Sequence, residues 1–184
     1  AAQVDLSLPG GVVELGAGTG VITQALLDAG VDTEQLLVIE RDDALHGLLT
    51  RRFPDLAITL GDACEMQALA AARGMNRISA VVSSLPLLAM PDRVQWQILD
   101  QALGALAPGG TLVFCTCSLQ PEEGPARIAA LLQGEATVTR VAIRPDELAG
   151  HGELITAEGD LRTLPYHLGG IDGFFACRLQ RRAA

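Results

Sequence analysis

The sequence contains no lysine: its 13 basic residues are all arginine, and against 22 acidic residues they leave a net charge of −9. A phosphate backbone rewards clustered positive charge, so this balance argues against autonomous nucleic-acid binding, with Arg178, Arg181 and Arg182 as a local exception. No apolar run approaches the ~20 residues that span a bilayer, and no leader-like segment precedes the first motif. The four cysteines (Cys64, Cys115, Cys117 and Cys177) form neither a CxxC pair nor an evenly spaced framework, so free thiols in a reducing cytoplasm are expected. His46, His151 and His167 are scattered without ligand spacing, and no metal site is expected. What remains is a 184-residue chain, 49% hydrophobic and 19% charged. It is globular in composition and of a length to bury one continuous core, so residues 1–184 read as a single domain.

Five short, apolar, partly β-branched segments recur: residues 11–15 (GVVEL), 36–40 (LLVIE), 56–60 (LAITL), 78–83 (ISAVVS) and 110–116 (GTLVFCT). They read as strands buried on both faces. Amphipathic stretches near 20–30, 42–52, 65–73 and 92–106 lie between them. In the last, Asp92 is placed to cap the amino terminus, Val94, Ile98, Leu99 and Leu103 recur at helical spacing, and Pro108-Gly109-Gly110 ends it. Right-handed crossovers turn this alternation into a Rossmann-like, doubly wound α/β fold with a parallel sheet. Beyond residue 117 the pattern predicts a helix from about Pro121 to Leu132, a strand over 136–143, a long polar segment over 144–170 and a last strand over 173–180. Two final strands joined without a helix should lie antiparallel at one edge.

Between the first strand and the first helix lies "ELGAGTG", with Gly16, Gly18 and Gly20 at alternate positions and Ala17 within the turn. Such a turn lets a ligand approach bare backbone at a helix amino terminus. Glu40, 20 residues after Gly20 and at the end of the second strand, suits the ribose hydroxyls of any adenosine ligand. Glu14 separates the alternatives: beside the glycines it would repel a dinucleotide's diphosphate, yet welcome the ammonium group of an amino-acid moiety. The loop also lacks the cation of a Walker-type phosphate loop. Asp62, after the third strand, can accept from an adenine amino group while the Ala63 N–H serves a ring nitrogen, and Arg41 can pack beside the adenine. Together these residues point to S-adenosylmethionine rather than NAD; the alternative is a structural turn with solvated acids.

The E-L-G-A-G-T-G motif, the acidic end of "LLVIE", the "GDA" triplet and "LAPGG" together resemble class I S-adenosylmethionine-dependent methyltransferases over nearly the whole chain. The resemblance implies a seven-stranded, mostly parallel sheet with an antiparallel last strand, S-adenosylmethionine as cofactor and S-adenosylhomocysteine as product. Residues 1–110, through "VVELGAGTGVITQALLDAG" and "AVVSSLPLLAMPDRVQWQIL", are similar to bacterial phospholipid N-methyltransferases that act on phosphatidylethanolamine. Residues 110–184, through "GGTLVFCTCSLQPEEGPARIAALL" and "LPYHLGGIDGFFACRL", resemble the carboxy-terminal part of 16S rRNA cytosine-C5 methyltransferases. The two likenesses meet near residues 106–113, as in a chimera.

Each likeness implies a different acceptor. The phospholipid enzymes need only present an amine nitrogen in line with the methyl group, and Ser83, Ser84 and Leu85 would line that site. The RNA enzymes add a cysteine thiolate to C6 of cytosine, and Cys117 in "TCS" matches that nucleophile. They also carry an Asp-x-Pro-Cys-Ser stretch, where this chain has Ser84-Leu85-Pro86-Leu87-Leu88. Serine replaces the base-holding aspartate, and leucine replaces the cysteine that helps remove the C5 proton. The alternative for Cys117 is a buried strand cysteine without chemistry; Cys115 and Cys177 read as core, and "LPLLAM" as a core-facing loop. A third reading of the whole is a recombined fold that binds cofactor without turnover.

Overall fold

The structure, a computed structural model, describes residues 4–183. Strands β1 (Gly11–Leu15), β2 (Leu36–Glu40) and β4 (Ile78–Ser83) are buried along their whole length, as continuous apolar runs covered on both faces should be. β3 (Ala57–Leu60) is partly exposed at the sheet edge. Helices α1 (Val21–Asp28), α2 (Asp43–Arg52), α3 (Met66–Ala72) and α4 (Asp92–Ala105) connect these strands and lead into β5 (Leu106–Thr116). There follow α5 (Pro125–Gly134), β6 (Val138–Arg140), β7 (Leu161–Thr163) and β8 (Phe174–Arg181).

The sheet order is β3-β2-β1-β4-β5-β8-β6, with β7 also paired to β8. β1 to β5 are mutually parallel; β8 runs antiparallel to β5, β6 and β7. One face carries the larger core, in which Leu15, Val81 and Phe114 meet Ile98 and Leu99 of α4 and Ile128 of α5. The other gathers Val12, Val38, Ala80 and Val113 under Leu26 of α1 and Leu49 of α2. Strand order reverses between β1 and β4, which opens a crevice at their carboxyl ends.

Five expectations need correction. Among the described residues the sheet has eight strands, because β7 lies inside the segment read as polar loop; β6 and β7 share the outer lane of β8, opposite its carboxyl and amino halves respectively. β6 is only three residues long: Val141 N–H still donates to Arg178 O of β8, but beyond it the backbone leaves β8 and Ile143 N–H donates to Gly159 O instead. Asp92 is not a cap; Pro91 holds that position, and Asp92 receives Gln95 Nε2 at 3.3 Å from inside the first turn. Pro108-Gly109-Gly110 forms a bulge rather than a terminator, since Ile78 pairs with Leu106 but Ala80 with Thr111. Helix α5 also starts later than expected, at Pro125, whose fixed φ suits the first helical turn.

Candidate functional site

Glu14 sits on β1 at the crevice with 0% exposure. Its Oε2 accepts from Thr23 Oγ1 of α1 at 2.7 Å, while Oε1 is buried without a hydrogen-bond partner. Burial pushes the carboxyl up to about 7, against the opposing effect of the Thr23 hydroxyl, and nearby Glu40 adds to the rise. The chain then turns through Gly16, Gly18 and Gly20, all at positive φ. A Cβ on Gly16 would lie 2.4 Å from Leu85 Cδ2, whereas Gly18 faces open space. One glycine therefore allows the β4 loop to close on β1, and another leaves backbone bare toward the crevice. Gly20 caps α1 in the left-handed conformation, and Ala17 between them is buried.

Glu40 ends β2 and reaches back to this turn: its Oε2 accepts from Gly18 N–H at 3.0 Å and its Oε1 from Asp42 N–H at 2.9 Å. Asp62, just past β3, accepts Cys64 N–H at 2.9 Å, and its other oxygen lies 3.6 Å from Arg41 Nη1. The Cys64 N–H, with a smaller contribution from the Arg41 charge, holds the Asp62 carboxyl below its ordinary range despite partial burial. Ala63 is buried behind it and Arg41 is exposed. At the end of β4 the Ser83 hydroxyl is buried without a partner, and Ser84 Oγ donates to Gly16 O at 3.0 Å. Within "LPLLAM" Leu87 is fully buried and Leu85 and Met90 pack against the core, whereas Pro86 and Ala89 are exposed, so only part of the loop faces the core.

Cys117 lies one residue beyond the end of β5 and is exposed, which overturns its reading as a buried strand cysteine. Alternation alone would place Cys117 on the same face as buried Cys115, but the ladder ends at Thr116 and Cys117 lies beyond it. Cys115 and Cys177 are indeed buried; burial pushes the Cys115 thiol up to about 12 and the Cys177 thiol well above its ordinary value. The turn after Cys117 is pinned by a residue that sequence reasoning missed: Arg162 of β7 donates to Ser118 O at 3.0 Å and to Leu119 O at 2.7 Å. Thr23, the partner of Glu14, was missed too; neither has a local sequence signal. The structure thus brings Glu14, the glycine turn, Glu40, Asp62, Ser83 to Leu85 and Cys117 to the carboxyl ends of the parallel strands. It does not assemble the basic patch, because Arg178 pairs with Glu147 at 2.7 Å and Arg181 donates to Gly104 O and Leu106 O. Among the described residues no three His, Cys, Asp or Glu side chains group to hold a metal, and no helix is long and apolar enough to cross a membrane.

A parallel sheet of this order with an antiparallel penultimate lane, and a glycine turn between acidic strand ends at the switch point, define a class I methyltransferase. The chain belongs to the family described as 16S rRNA methyltransferase RsmB/F, which matches residues 87–180. Ribosomal RNA small subunit methyltransferase F of Klebsiella pneumoniae is 37% identical over 90 residues, covering 49% of this chain and 19% of that protein. Ornithine lipid N-methyltransferase of Singulisphaera acidiphila is 36% identical over 103 residues, 54% of each chain. The chain therefore spans between about a fifth and about half of the length of these curated relatives. Among solved structures, NSun6 from Pyrococcus horikoshii with SFG superposes at a TM-score of 0.70 with 15% identity, covering 95% of this chain and 48% of that one. SMU.1697c from Streptococcus mutans, in complex with SAH, gives 0.64 at 10% identity, covering 98% and 92%.

Proposed function

We propose that this chain is one methyltransferase domain that binds S-adenosylmethionine at the β1–β4 crevice and methylates C5 of an RNA cytosine, with Cys117 as nucleophile, in the cytoplasm. The observation that carries the proposal is the placement of an exposed Cys117 on the same strand-end rim as the glycine turn. The residues fit the cofactor: Glu14 Oε1 is a buried acceptor lacking a donor, as an ammonium group requires, and Gly18 faces open space. Glu40 would hold the ribose, Asp62 and Ala63 the adenine with Arg41 alongside, and Gly16, Ala17, Gly20, Ser83, Ser84 and Leu85 would shape the walls. When bound, S-adenosylmethionine supplies an electrophilic methyl group and departs as S-adenosylhomocysteine.

The protein's own part begins with the Cys117 thiolate, which forms a bond to C6 of the base and makes C5 electron-rich. Release needs a base to take the C5 proton so that the C6–S bond can break. The position that would supply one is Leu87, apolar and fully buried. A covalent protein–RNA adduct should therefore accumulate. Incubation with unmodified ribosomal RNA and cofactor is expected to give an adduct on a denaturing gel, abolished in Cys117→Ala while cofactor affinity is kept. The absence of both adduct and methylated RNA at saturating cofactor would end this reading.

A second reading, N-methylation of a lipid amine, is favoured by one observation. The Ser84 hydroxyl is turned onto Gly16 O, so no side chain there offers a carboxylate to a base, whereas an amine acceptor needs only positioning and desolvation. Labelled methyl appearing on phosphatidylethanolamine in vesicles would support it. Stabilisation by cofactor without either product would instead favour a recombined, idle fold joined near residues 106–113.

A further inference from the structure

The β7–β8 connection carries the chain's single tyrosine, and Tyr166 is 75% exposed. It stands against the His167 ring in a T-shaped contact, centroids 4.6 Å apart and planes at 82°. His167 Nδ1 accepts the Leu164 N–H at 3.2 Å, which fixes the imidazole. Leu168, half exposed, follows at φ 50, a left-handed conformation that costs a branched side chain energy and holds the turn in an unusual shape. Thr163 Oγ1 donates to Asp172 O at 2.7 Å and closes the base of the connection.

This connection is built onto the Cys117 turn. Arg162 clamps Ser118 and Leu119, and Leu119 lies so close to Gly173 that a Cβ there would be 2.3 Å from Leu119 Cδ2. Register gives the spacing: Thr116 pairs with Phe175 on one side of β8 and Thr163 with Phe174 on the other, so the end of β5 just before Cys117 and the end of β7 lie two lanes apart. Two strand lanes amount to ~10 Å. Tyr166 follows three residues beyond Thr163, on the connection that Arg162 ties to the turn after Cys117.

We propose that the Tyr166–His167 edge is a stacking platform for an unpaired nucleobase next to the one that Cys117 attacks. The proposal rests on the RNA reading above. An exposed, braced aromatic ring suits a base of any sequence, because every base presents a π-face. Arg162 spends both terminal nitrogens on carbonyls, so it has little to offer a phosphate, and stacking rather than charge must supply the contact.

The test uses the full chain, fluorotyrosine-labelled so that one ¹⁹F resonance reports Tyr166, and a short unpaired oligoribonucleotide with a single cytosine. RNA is expected to shift the resonance. Tyr166→Ala should weaken RNA binding about fivefold to hundredfold without changing its salt dependence, while Tyr166→Phe and Tyr166→Trp retain it. Unchanged cofactor affinity in all three variants establishes that the fold is intact. RNA bound as tightly by Tyr166→Ala as by the parent overturns the platform alone. No RNA binding by the parent overturns the RNA reading and the platform with it. Loss of binding to phosphatidylethanolamine vesicles in Tyr166→Ala, with RNA binding unaffected, would assign the edge to a bilayer and also overturn the proposal.

Discussion

If Glu14 receives the ammonium group of the cofactor, its proton must leave first, and the structure sets the pH at which that happens. Burial raises the carboxyl from 4.5 to about 7. Ionising Glu14 in the folded, ligand-free chain therefore costs about 3 kcal/mol more than in the unfolded chain. Between those two values the folded state keeps a proton that the unfolded state has lost. Stability should fall as pH rises through that window and level off above it. Glu14→Gln removes the effect, so near pH 8 the variant should exceed the parent by up to about 3 kcal/mol in denaturant unfolding, and near pH 4.5 the two should converge.

Cofactor affinity should move the opposite way. Where only the ionised carboxylate binds, calorimetry with S-adenosylhomocysteine should show affinity falling up to about tenfold per pH unit below 7. Glu14→Gln should bind more weakly near neutrality and show a flatter profile. A parent profile level between about pH 5.5 and 8, or one that the variant reproduces, would refute both the assignment and the burial argument behind it.

Glu40→Ala and Asp62→Ala should each weaken cofactor binding by about 1.5 to 3 kcal/mol through loss of charge-assisted hydrogen bonds, read by calorimetry. Unchanged affinity in both would remove the adenosine from this rim. Gly16→Ala and Gly18→Ala should part company: both incur the left-handed backbone penalty of about 1 to 2 kcal/mol. Only the Gly16 substitution also collides with Leu85 and lowers the melting temperature further, whereas the Gly18 methyl protrudes into open space and acts mainly on affinity.

Strands β1, β2 and β4 were legible because burial on both faces leaves an uninterrupted apolar run in the sequence. β7 was not. Its three residues include Arg162, and its pairing is decided by the free edge of β8 rather than by local pattern. The Pro108–Gly110 bulge was invisible for a similar reason: a turn signal says that the chain bends, but only the pairing of Leu106 with Ile78 says that the strand has already begun. Glu14, Glu40 and Asp62 could be grouped from sequence because topology forces consecutive parallel strands to end on one side. Thr23 and Arg162 could not, since each acts across a packing contact between elements. Cys117 fell between these cases, one residue past a ladder whose end the sequence does not mark.

The family match begins at Leu87, ahead of β5, and the structure gives a physical reason why a change of lineage near residues 106–113 would be tolerated. The larger core draws Val13, Leu37 and Ile98 from before β5 and Ile128, Phe175 and Leu179 from after it. What β5 must supply is parity: Leu112 and Phe114 toward α4 and α5, Val113 toward the face of α1. A slip of one residue would drive Thr111 and Val113 into the larger core and expel Leu112 and Phe114. The bulge over residues 107–110 sits ahead of that register and absorbs a difference in length before Thr111 pairs with Ala80. Chain from another lineage can therefore enter this lane without disturbing the cofactor rim, which is fixed by β1, β2 and β4. The acceptor chemistry would not be protected in the same way, because Cys117 follows β5 while Ser84 and Leu87 follow β4.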